Sequence, residues 1–488
     1  MRIINIDTLE FAEFYDDAVP AYAILSHRWT TNELTYADYR KGRRKESIGY
    51  GKVLRLQEVT QRYNAWLQGG SSTIVVVPKV RFAPPVHEIG TLAEQPVKYL
   101  WLDTCCIDKK SSAELSEAIN AMYDYYSNAQ ICFAHLADVH AAGIDGDVLP
   151  PEVERMMEES VWFTRGWTLQ EMIAPERILF CDDQWRLFAH KYRSMYVLGN
   201  MMKRCCNELP SSYHVNEVIA QITGVALEVT SSATRQKGPF YKPTVFEIFG
   251  WAAGRTTSRV EDMSYCLLGL LGIRMALLYG EGQLAFRRLQ EAIMFNTSDE
   301  TFFAFTSVDP YNRAAPILAK SPRDFARASS WTPTYTVRVL RTAWCAPKGR
   351  RLGSKAIANG SLRFTTEAFR LHSPKGPWEL YAPEYWLVPV SVFVKLGDGK
   401  HAGYRQFAVV LEHSAQRSSL YRRVSSTRLP NNIYKYAVKM EETHYTGNDW
   451  HLCRWRRVWS YLRGIPIWSA QQQTFAIELA PTGHDPAD

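Results

Sequence analysis

The sequence lacks the marks of metal-binding and membrane-spanning proteins. Its nine cysteines include no CxxC pair, and no cysteine–histidine spacing typical of zinc sites occurs. The adjacent pairs Cys105-Cys106 and Cys205-Cys206 are poorly placed to form disulfides, so we expect buried free thiols and no metal site. The longest apolar runs, such as CLLGLLGI at 266–273, are far too short to cross a bilayer, so no membrane span is expected.

Signatures of several enzyme classes are also missing. The chain has no GxxxxGK[ST], HExxH, GxSxG or kinase motif, no internal repeat and no heptad pattern. These absences argue against a P-loop ATPase, a zinc protease of the HExxH type and a hydrolase of the GxSxG type. The first residues, MRIINIDTLEFAEFYDD, are acidic and lack the apolar core of a signal peptide, so we expect a cytoplasmic protein.

The composition indicates a globular protein of two or three domains. The chain has 488 residues, of which 46% are hydrophobic and 22% charged. The formal charge is −6 over residues 1–300 and +13 over residues 301–488, for a net +7. A basic C-terminal part could meet nucleic acid. Its basic residues are scattered, however, with RWRR at 454–457 as the one tight cluster, so we favour a solvated surface over nucleic-acid binding.

The first 195 residues alternate between strand and helix patterns, which predicts an α/β domain with a parallel sheet. Ligands bind such sheets beyond the carboxyl ends of the strands, here just after Leu25, Leu102 and Leu136. The expected helices cover 51–67, 116–129 and 165–174. The expected strands are AYAILSH (21–27), KYLWLDTCCID (98–108, with Asp103 at the strand end), QICFAHLAD (130–138) and RILFCD (177–182).

Three further segments do not follow this alternation of strands and helices. Residues 68–96 contain glycine pairs and prolines, which indicates an insertion. Residues 196–300 have helical patterns and are predicted as a helical connector segment. From residue 301 to 488 the period changes to two, which predicts a β-rich C-terminal domain, a sandwich or a barrel.

The stretch RGWTLQE, residues 165–171, places a carboxylate beside aromatic side chains. Trp167 and Glu171 are four residues apart, so they share one face of a helix. If that face lines a pocket, an indole plate beside a carboxylate suits a flat base or a sugar. The alternative is structural: Trp162, Phe163 and Trp167 belong to the core, while Arg165 and Glu171 form an ion pair. The residues alone leave both interpretations open.

Three stretches, taken together and in order, resemble the fungal heterokaryon-incompatibility (HET) domain. They are YAILSHRW (22–29), YLWLDTCCIDKKSSAELSEAINAMYDYYSNAQICFAHLADV (99–139) and SVWFTRGWTLQEMIAP (160–175). The block at 251–293 is similar to the segment that commonly follows this domain. Thr30, where the family usually has glycine, and the insertion at 68–96 depart from the pattern.

This resemblance implies a role in non-self recognition that leads to regulated cell death. It also implies a fold similar to the Toll/interleukin-1 receptor (TIR) domain, a flavodoxin-like parallel sheet. Some TIR domains cleave NAD, and on that alignment Glu171 falls near their catalytic glutamate. The implied site has Glu171 as the catalytic residue and NAD as a substrate, with no cofactor required. The expected substrate-binding residues are Ser26, Arg28, Asp103, Arg165 and Trp167.

The residue types suit that chemistry. Cleavage of the nicotinamide–ribose bond passes through an oxocarbenium-like state that one carboxylate can stabilise. An indole can hold the flat base, and arginine can pair with the pyrophosphate. The competing hypothesis is a non-catalytic death-signalling scaffold that acts by oligomerisation. Under either hypothesis the expected partner is a second copy of the chain or another incompatibility protein.

Overall fold

The computed structural model divides the chain into two units. The first comprises residues 1–242 and 255–277, and the second comprises residues 243–254 and 278–488. The structure describes residues 1–15, 18–30, 32–69, 95–142, 149–192, 213–230, 243–297, 299–303, 305, 314–315, 317–326, 355–358, 361–371, 385–396, 403–413, 421–424 and 468–478.

An eight-stranded sheet forms the centre of the first unit, in the order β2-β1-β4-β3-β5-β6-β7-β8. Its four middle strands, β4, β3, β5 and β6, run parallel, and all four were predicted. The strands are β1 (Arg2–Asn5), β2 (Phe11–Glu13), β3 (Tyr22–His27), β4 (Tyr99–Trp101), β5 (Ile131–His135), β6 (Arg177–Cys181), β7 (Leu187–Tyr192) and β8 (Tyr213–His214).

Antiparallel pairing at β2–β1, β1–β4 and β6–β7 was not expected from the alternating pattern. All six residues of β3 are buried, as expected for a strand covered on both faces. Because neighbouring side chains of a strand point to opposite faces, Ser26 and His27 lie on opposite sides of the sheet.

Helices of the first unit include counterparts of the predicted segments 51–67, 116–129 and 165–174, together with short helices that were not predicted. They are α1 (Tyr36–Arg40), α2 (Ile48–Gly69), α3 (Asp103–Cys106), α4 (Ser112–Asn128), α5 (Pro151–Glu159), α6 (Thr168–Ile173), α7 (Asn216–Thr223), α8 (Leu227–Thr230), α10 (Asp262–Tyr265) and α11 (Leu268–Leu271); α9 (Val245–Ala252) belongs to the second unit. Ser111 is the N-cap of α4, and its hydroxyl accepts a hydrogen bond from the Glu114 N–H at 3.3 Å. The described cysteines, including Cys105 and Cys106, are buried and free, as predicted.

Residues 98–108 correct one prediction. The strand ends at Trp101, and Asp103 is the first residue of the short helix α3 rather than the last residue of a strand. The alternating apolar pattern does not separate these two structures over so few residues. An aspartate in the first turn of a helix is favourable because free backbone N–H groups point toward it.

The second unit contains α9, α12 (Leu284–Asn296) and a seven-stranded sheet. The strands are β9 (Ala314–Ala315), β10 (Lys355–Ala358), β11 (Ser361–Leu371), β12 (Tyr385–Leu396), β13 (Gly403–His413), β14 (Tyr421–Val424) and β15 (Trp468–Glu478). Strand β15 pairs with both β14 and β11. Much of residues 301–488 lies outside the described residues, so the predicted all-β domain stays a prediction.

Two further predictions, the insertion at 68–96 and the lack of a membrane span, can be compared with the described residues only. Of the predicted insertion at 68–96, residues 70–94 lie outside the described residues. Within the described part of the chain, no helix combines the length and the apolar character that crossing a membrane would require.

Candidate functional site

A chain of hydrogen bonds at the carboxyl end of β3 links the predicted site residues Ser26 and Glu171. The Ser26 hydroxyl donates to Glu171 Oε2 at 2.5 Å and accepts from Trp162 Nε1 at 2.8 Å. Ser26 and Trp162 are buried, whereas Glu171 keeps part of its surface open to solvent. The hydrogen bond from Ser26 therefore holds one oxygen of the Glu171 carboxylate in place.

The surroundings of Glu171 disfavour its charged form. Burial raises the pKa of Glu171 to about 8, although the hydrogen bond from Ser26 opposes that rise. The negative charge of Asp103 raises this pKa further, while the positive charge of Arg165 and the hydroxyl of Tyr126 lower it. A carboxyl group that titrates near neutral pH at a strand-end crevice is a typical feature of functional sites.

Buried cations hold both ends of α6, the helix that carries Glu171. At its start, Arg255 Nη1 donates to the Arg165 carbonyl at 2.8 Å and to Thr168 Oγ1 at 3.1 Å. At its end, Lys191 Nζ donates to the Met172 and Pro175 carbonyls at 2.8 and 2.9 Å. Carbonyl groups at a helix end have no partner within the helix, so a buried ammonium is well placed there.

Residues 255–257 also form part of the backbone around the RGW turn. The Gly166 N–H donates to the Thr256 carbonyl at 2.9 Å, and the Thr256 N–H donates to the Thr164 carbonyl at 2.8 Å. A Cβ atom on Gly166 would lie 2.5 Å from Thr257 Cγ2 and 3.1 Å from Cys266 Sγ. Glycine suits this position because any larger residue would force the Thr257 side chain to move.

Asp103, a predicted substrate-binding residue, lies beside a cation and an exposed indole. Lys109 Nζ is 3.6 Å from Asp103 Oδ2, and the same ammonium lies 3.3 Å from the centre of the Trp29 ring. Trp29 follows β3 by two residues, so this group adjoins the end of the strand that carries Ser26.

The opposite face of the sheet carries a second group of polar side chains. His27 and His135 are register partners on β3 and β5, and both are buried. Burial and the nearby charge of Lys52 lower the pKa of His135 to about 4, so this ring is neutral at pH 7. The Lys52 ammonium is hydrogen-bonded to the Glu33 carboxylate, and His27 Nε2 lies 3.7 Å from Glu33 Oε2.

The remaining predicted residues have different surroundings. Arg28 is exposed, and its backbone carbonyl accepts from Lys52 Nζ at 3.0 Å. Trp167 is half-buried and lies one turn before Glu171, whose N–H points to the Trp167 carbonyl at 3.5 Å. Arg165 is also half-buried. Within the described residues no ion pair joins Arg165 to Glu171, so the structural alternative of such a pair is wrong in that detail.

Trp162 and Phe163 are core residues, as expected, with 1% and 5% of their surface exposed. No local sequence pattern indicates that the Trp162 indole also donates to Ser26. Arg255 was missed too, since it lies 90 residues after Arg165 and only the fold brings the two together. The Tyr126 hydroxyl donates to the Leu25 carbonyl at 3.0 Å, a contact that no local sequence pattern indicates.

One group in the described part of the chain has metal-ligand character, namely His140, Asp182 and Asp183. Arg186 already provides a cation there, because its Nη2 lies 2.6 Å from Asp182 Oδ2 and 3.2 Å from His140 Nδ1. The Asp182 carboxylate also accepts from the Ala141 and Gln184 N–H groups, each at 3.0 Å. The Asp182 carboxylate therefore stabilises a loop, and its oxygens are already bound by Arg186 and by backbone N–H groups.

Comparison with known proteins agrees with this architecture. Residues 22–150 match the family described as Heterokaryon incompatibility protein (HET). The match includes Ser26 and Asp103 and ends before Glu171, so the contact of Ser26 with Glu171 joins the matched range to a residue beyond it.

A curated relative supports the same assignment over a longer stretch. The vegetative incompatibility protein HET-E-1 of Podospora anserina is 32% identical over 278 residues. That region is 56% of this chain and 16% of the relative, so the chain spans a small part of the relative's length. No solved structure matches the chain.

Proposed function

We propose that this chain is an effector or signalling protein of fungal heterokaryon incompatibility and that its HET domain cleaves NAD. The HET match at residues 22–150 and the similarity to a vegetative incompatibility protein support the biological role. The expected outcome of such signalling is regulated cell death after non-self recognition. The proposed similarity to TIR domains is the basis for NAD as the substrate.

One observation carries the proposed chemistry: Ser26 holds the Glu171 carboxylate at the carboxyl end of a parallel strand, and residue 171 is partly exposed. This is the edge at which open α/β sheets bind their ligands. In a buried setting, a carboxylate stabilises positive charge more strongly than it does in water.

The reaction assigns a role to each residue. The bond between ribose C1′ and the nicotinamide nitrogen breaks, and its electron pair leaves with neutral nicotinamide. The ionised form of Glu171, which is the minor form at pH 7 because the pKa is about 8, stabilises the positive charge that develops on the ribose, and Ser26 holds that carboxylate. Water adds to C1′ and releases a proton to solvent, which gives ADP-ribose. Trp167 supports the flat base, while Arg28 and Arg165 meet the pyrophosphate and Asp103 faces the ribose side of the crevice.

The test is nicotinamide release from NAD by the full-length protein at high concentration, with and without a crowding agent that favours assembly. Glu171→Gln keeps the size of the side chain and removes its charge, so we expect a loss of at least about 100-fold in rate. Glu158→Gln is the matched control, because Glu158 is an exposed glutamate on α5. Equal rates for the wild type and Glu171→Gln would contradict the proposal.

The scaffold hypothesis is favoured by a different aspect of the same contacts. Trp162, Ser26 and Glu171 satisfy one another's hydrogen-bonding groups without a ligand, as a purely structural network would. A scaffold predicts that Glu171→Gln, expressed at the normal level in fungal cells, kills as efficiently as the wild type. Loss of killing with normal protein abundance would instead support catalysis.

A further inference from the structure

An exposed indole and an ammonium group form a second polar cluster at the crevice, outside the Ser26–Glu171 contacts. Trp29 keeps 45% of its surface exposed even with Lys109 Nζ lying 3.3 Å from its ring centre. Other apolar side chains of the chain are as exposed, and Trp29 differs from them in having a cation over its ring. A cation over an exposed ring contributes only about 0.5–1 kcal/mol, which is a weak structural reason to keep both side chains there.

The ammonium of Lys109 is incompletely paired. Its closest carboxylate is Asp103 at 3.6 Å, which is longer than a hydrogen bond, and the side chain is 33% exposed. Burial lowers the pKa of Lys109, with the charge of Asp103 opposing the shift. A partly buried ammonium with no carboxylate at hydrogen-bond distance can form a strong charge-assisted hydrogen bond with a bound anion.

Two carboxylates act on the charge of Lys109. Asp103 Oδ2 lies 3.6 Å from its ammonium, and the negative charge of Glu33 also acts on it. The Lys52 ammonium is already hydrogen-bonded to Glu33, which leaves Lys109 as the cation beside the exposed indole. A phosphate group is therefore attracted to the Trp29 side of the crevice.

We propose that Trp29 and Lys109 form a subsite for a nucleoside diphosphate, in which the indole stacks on the base and the ammonium binds the phosphates. The subsite rests on the proposed function in one respect, since it would hold the ADP part of NAD. Binding and cleavage remain separable, because ADP has the base and both phosphates but no nicotinamide to release. A nucleoside diphosphate is the expected ligand because the Trp29 ring can stack on a base and the Lys109 ammonium can bind phosphate.

The test is isothermal titration of full-length protein with ADP, adenosine and inorganic pyrophosphate at fixed ionic strength. Lys109→Met removes the charge and keeps the stem, and Lys110→Met is the matched control because Lys110 is its exposed neighbour. Trp29→Leu removes the ring. Thermal melting of each variant checks that these surface changes leave the fold intact.

We expect Lys109→Met to weaken ADP binding about tenfold and to leave adenosine binding unchanged. Trp29→Leu is expected to weaken ADP and adenosine about tenfold each and to leave pyrophosphate binding unchanged. Lys110→Met should match the wild type. The inference is overturned if the wild type does not bind ADP, or if Lys109→Met and Lys110→Met weaken ADP binding equally. If ADP binds as expected while no nicotinamide is released, the NAD-cleavage proposal fails and the subsite stands.

Discussion

Glu171 links stability to pH because its carboxyl group is easier to protonate in the folded chain. Its pKa rises from 4.5 to about 8, so the folded state binds the proton more tightly than the unfolded state does. The stabilising contribution of the protonated form is complete below about pH 4.5. It is lost as the pH rises through 8, so the ionised carboxylate lowers the free energy of unfolding at alkaline pH.

Replacement of Glu171 by glutamine should therefore stabilise the protein at high pH. We expect little difference from the wild type at pH 4.5 and a gain in the free energy of unfolding on the order of 2 kcal/mol at pH 9, after allowance for the partly exposed side chain. Chemical denaturation across this pH range measures the gain. Glu158→Gln should show no such trend, and a Glu171→Gln variant that is less stable than the wild type at pH 9 would count against a strained carboxylate.

At the scale of elements, α6 is a short helix whose position depends on side chains from elsewhere. Its six residues are too few to be stable alone, and Pro175 follows soon after its end. Arg255 and Lys191 provide the fixed contacts at its two ends. Arg255 acts on Glu171 through charge as well, because the two groups interact electrostatically.

Arg255→Met should raise the pKa of Glu171 above about 8 as well as destabilise the fold. Loss of the guanidinium leaves the Arg165 carbonyl without this donor, at a cost of about 2–4 kcal/mol. To measure this pKa, the free energy of unfolding of Arg255→Met is compared with that of the double variant Arg255→Met/Glu171→Gln across the pH range. The pH midpoint of the difference between the two should be higher than the midpoint found without the Arg255→Met change. Arg255→Lys should restore the midpoint in part.

Arg274→Met serves as the control for this experiment. Arg274 is 77% exposed and pairs with Asp124 only at 3.8 Å, so its loss should cost less than about 1 kcal/mol and leave the midpoint in place. An unchanged midpoint in folded Arg255→Met would mean that Arg255 has a purely structural role.

For the whole molecule, the first unit is discontinuous in sequence. It needs residues 255–277 in addition to residues 1–242, and the later segment contains Arg255, Thr256 and the buried side chains of Tyr265 and Leu268. We expect a fragment of residues 1–242 to lack cooperative thermal unfolding and a fragment of residues 1–277 to regain it. Circular dichroism melting compares them, and equal melting temperatures would contradict this dependence.

The sequence predicted the central parallel strands well because their apolar runs are long and bounded by polar residues. The contact of Ser26 with Glu171 was anticipated only through a resemblance, since no local pattern relates residues 145 positions apart. Lys191 and Arg255 could not be recognised, because a lysine or an arginine in a sequence is expected at the surface. The strand predicted to end at Asp103 was wrong beyond Trp101, where a four-residue helix leaves too little pattern to detect.

The discontinuity of the first unit has a consequence for protein synthesis. A ribosome adds about 5–20 residues per second, so residue 255 is made several seconds after residue 171. During that interval the nascent chain contains Ser26 and Glu171 but not the arginine that fixes the turn before α6. A messenger RNA cut short before residue 255 would give a product without that contact, so the order of synthesis sets the earliest moment at which the turn before α6 can be fixed.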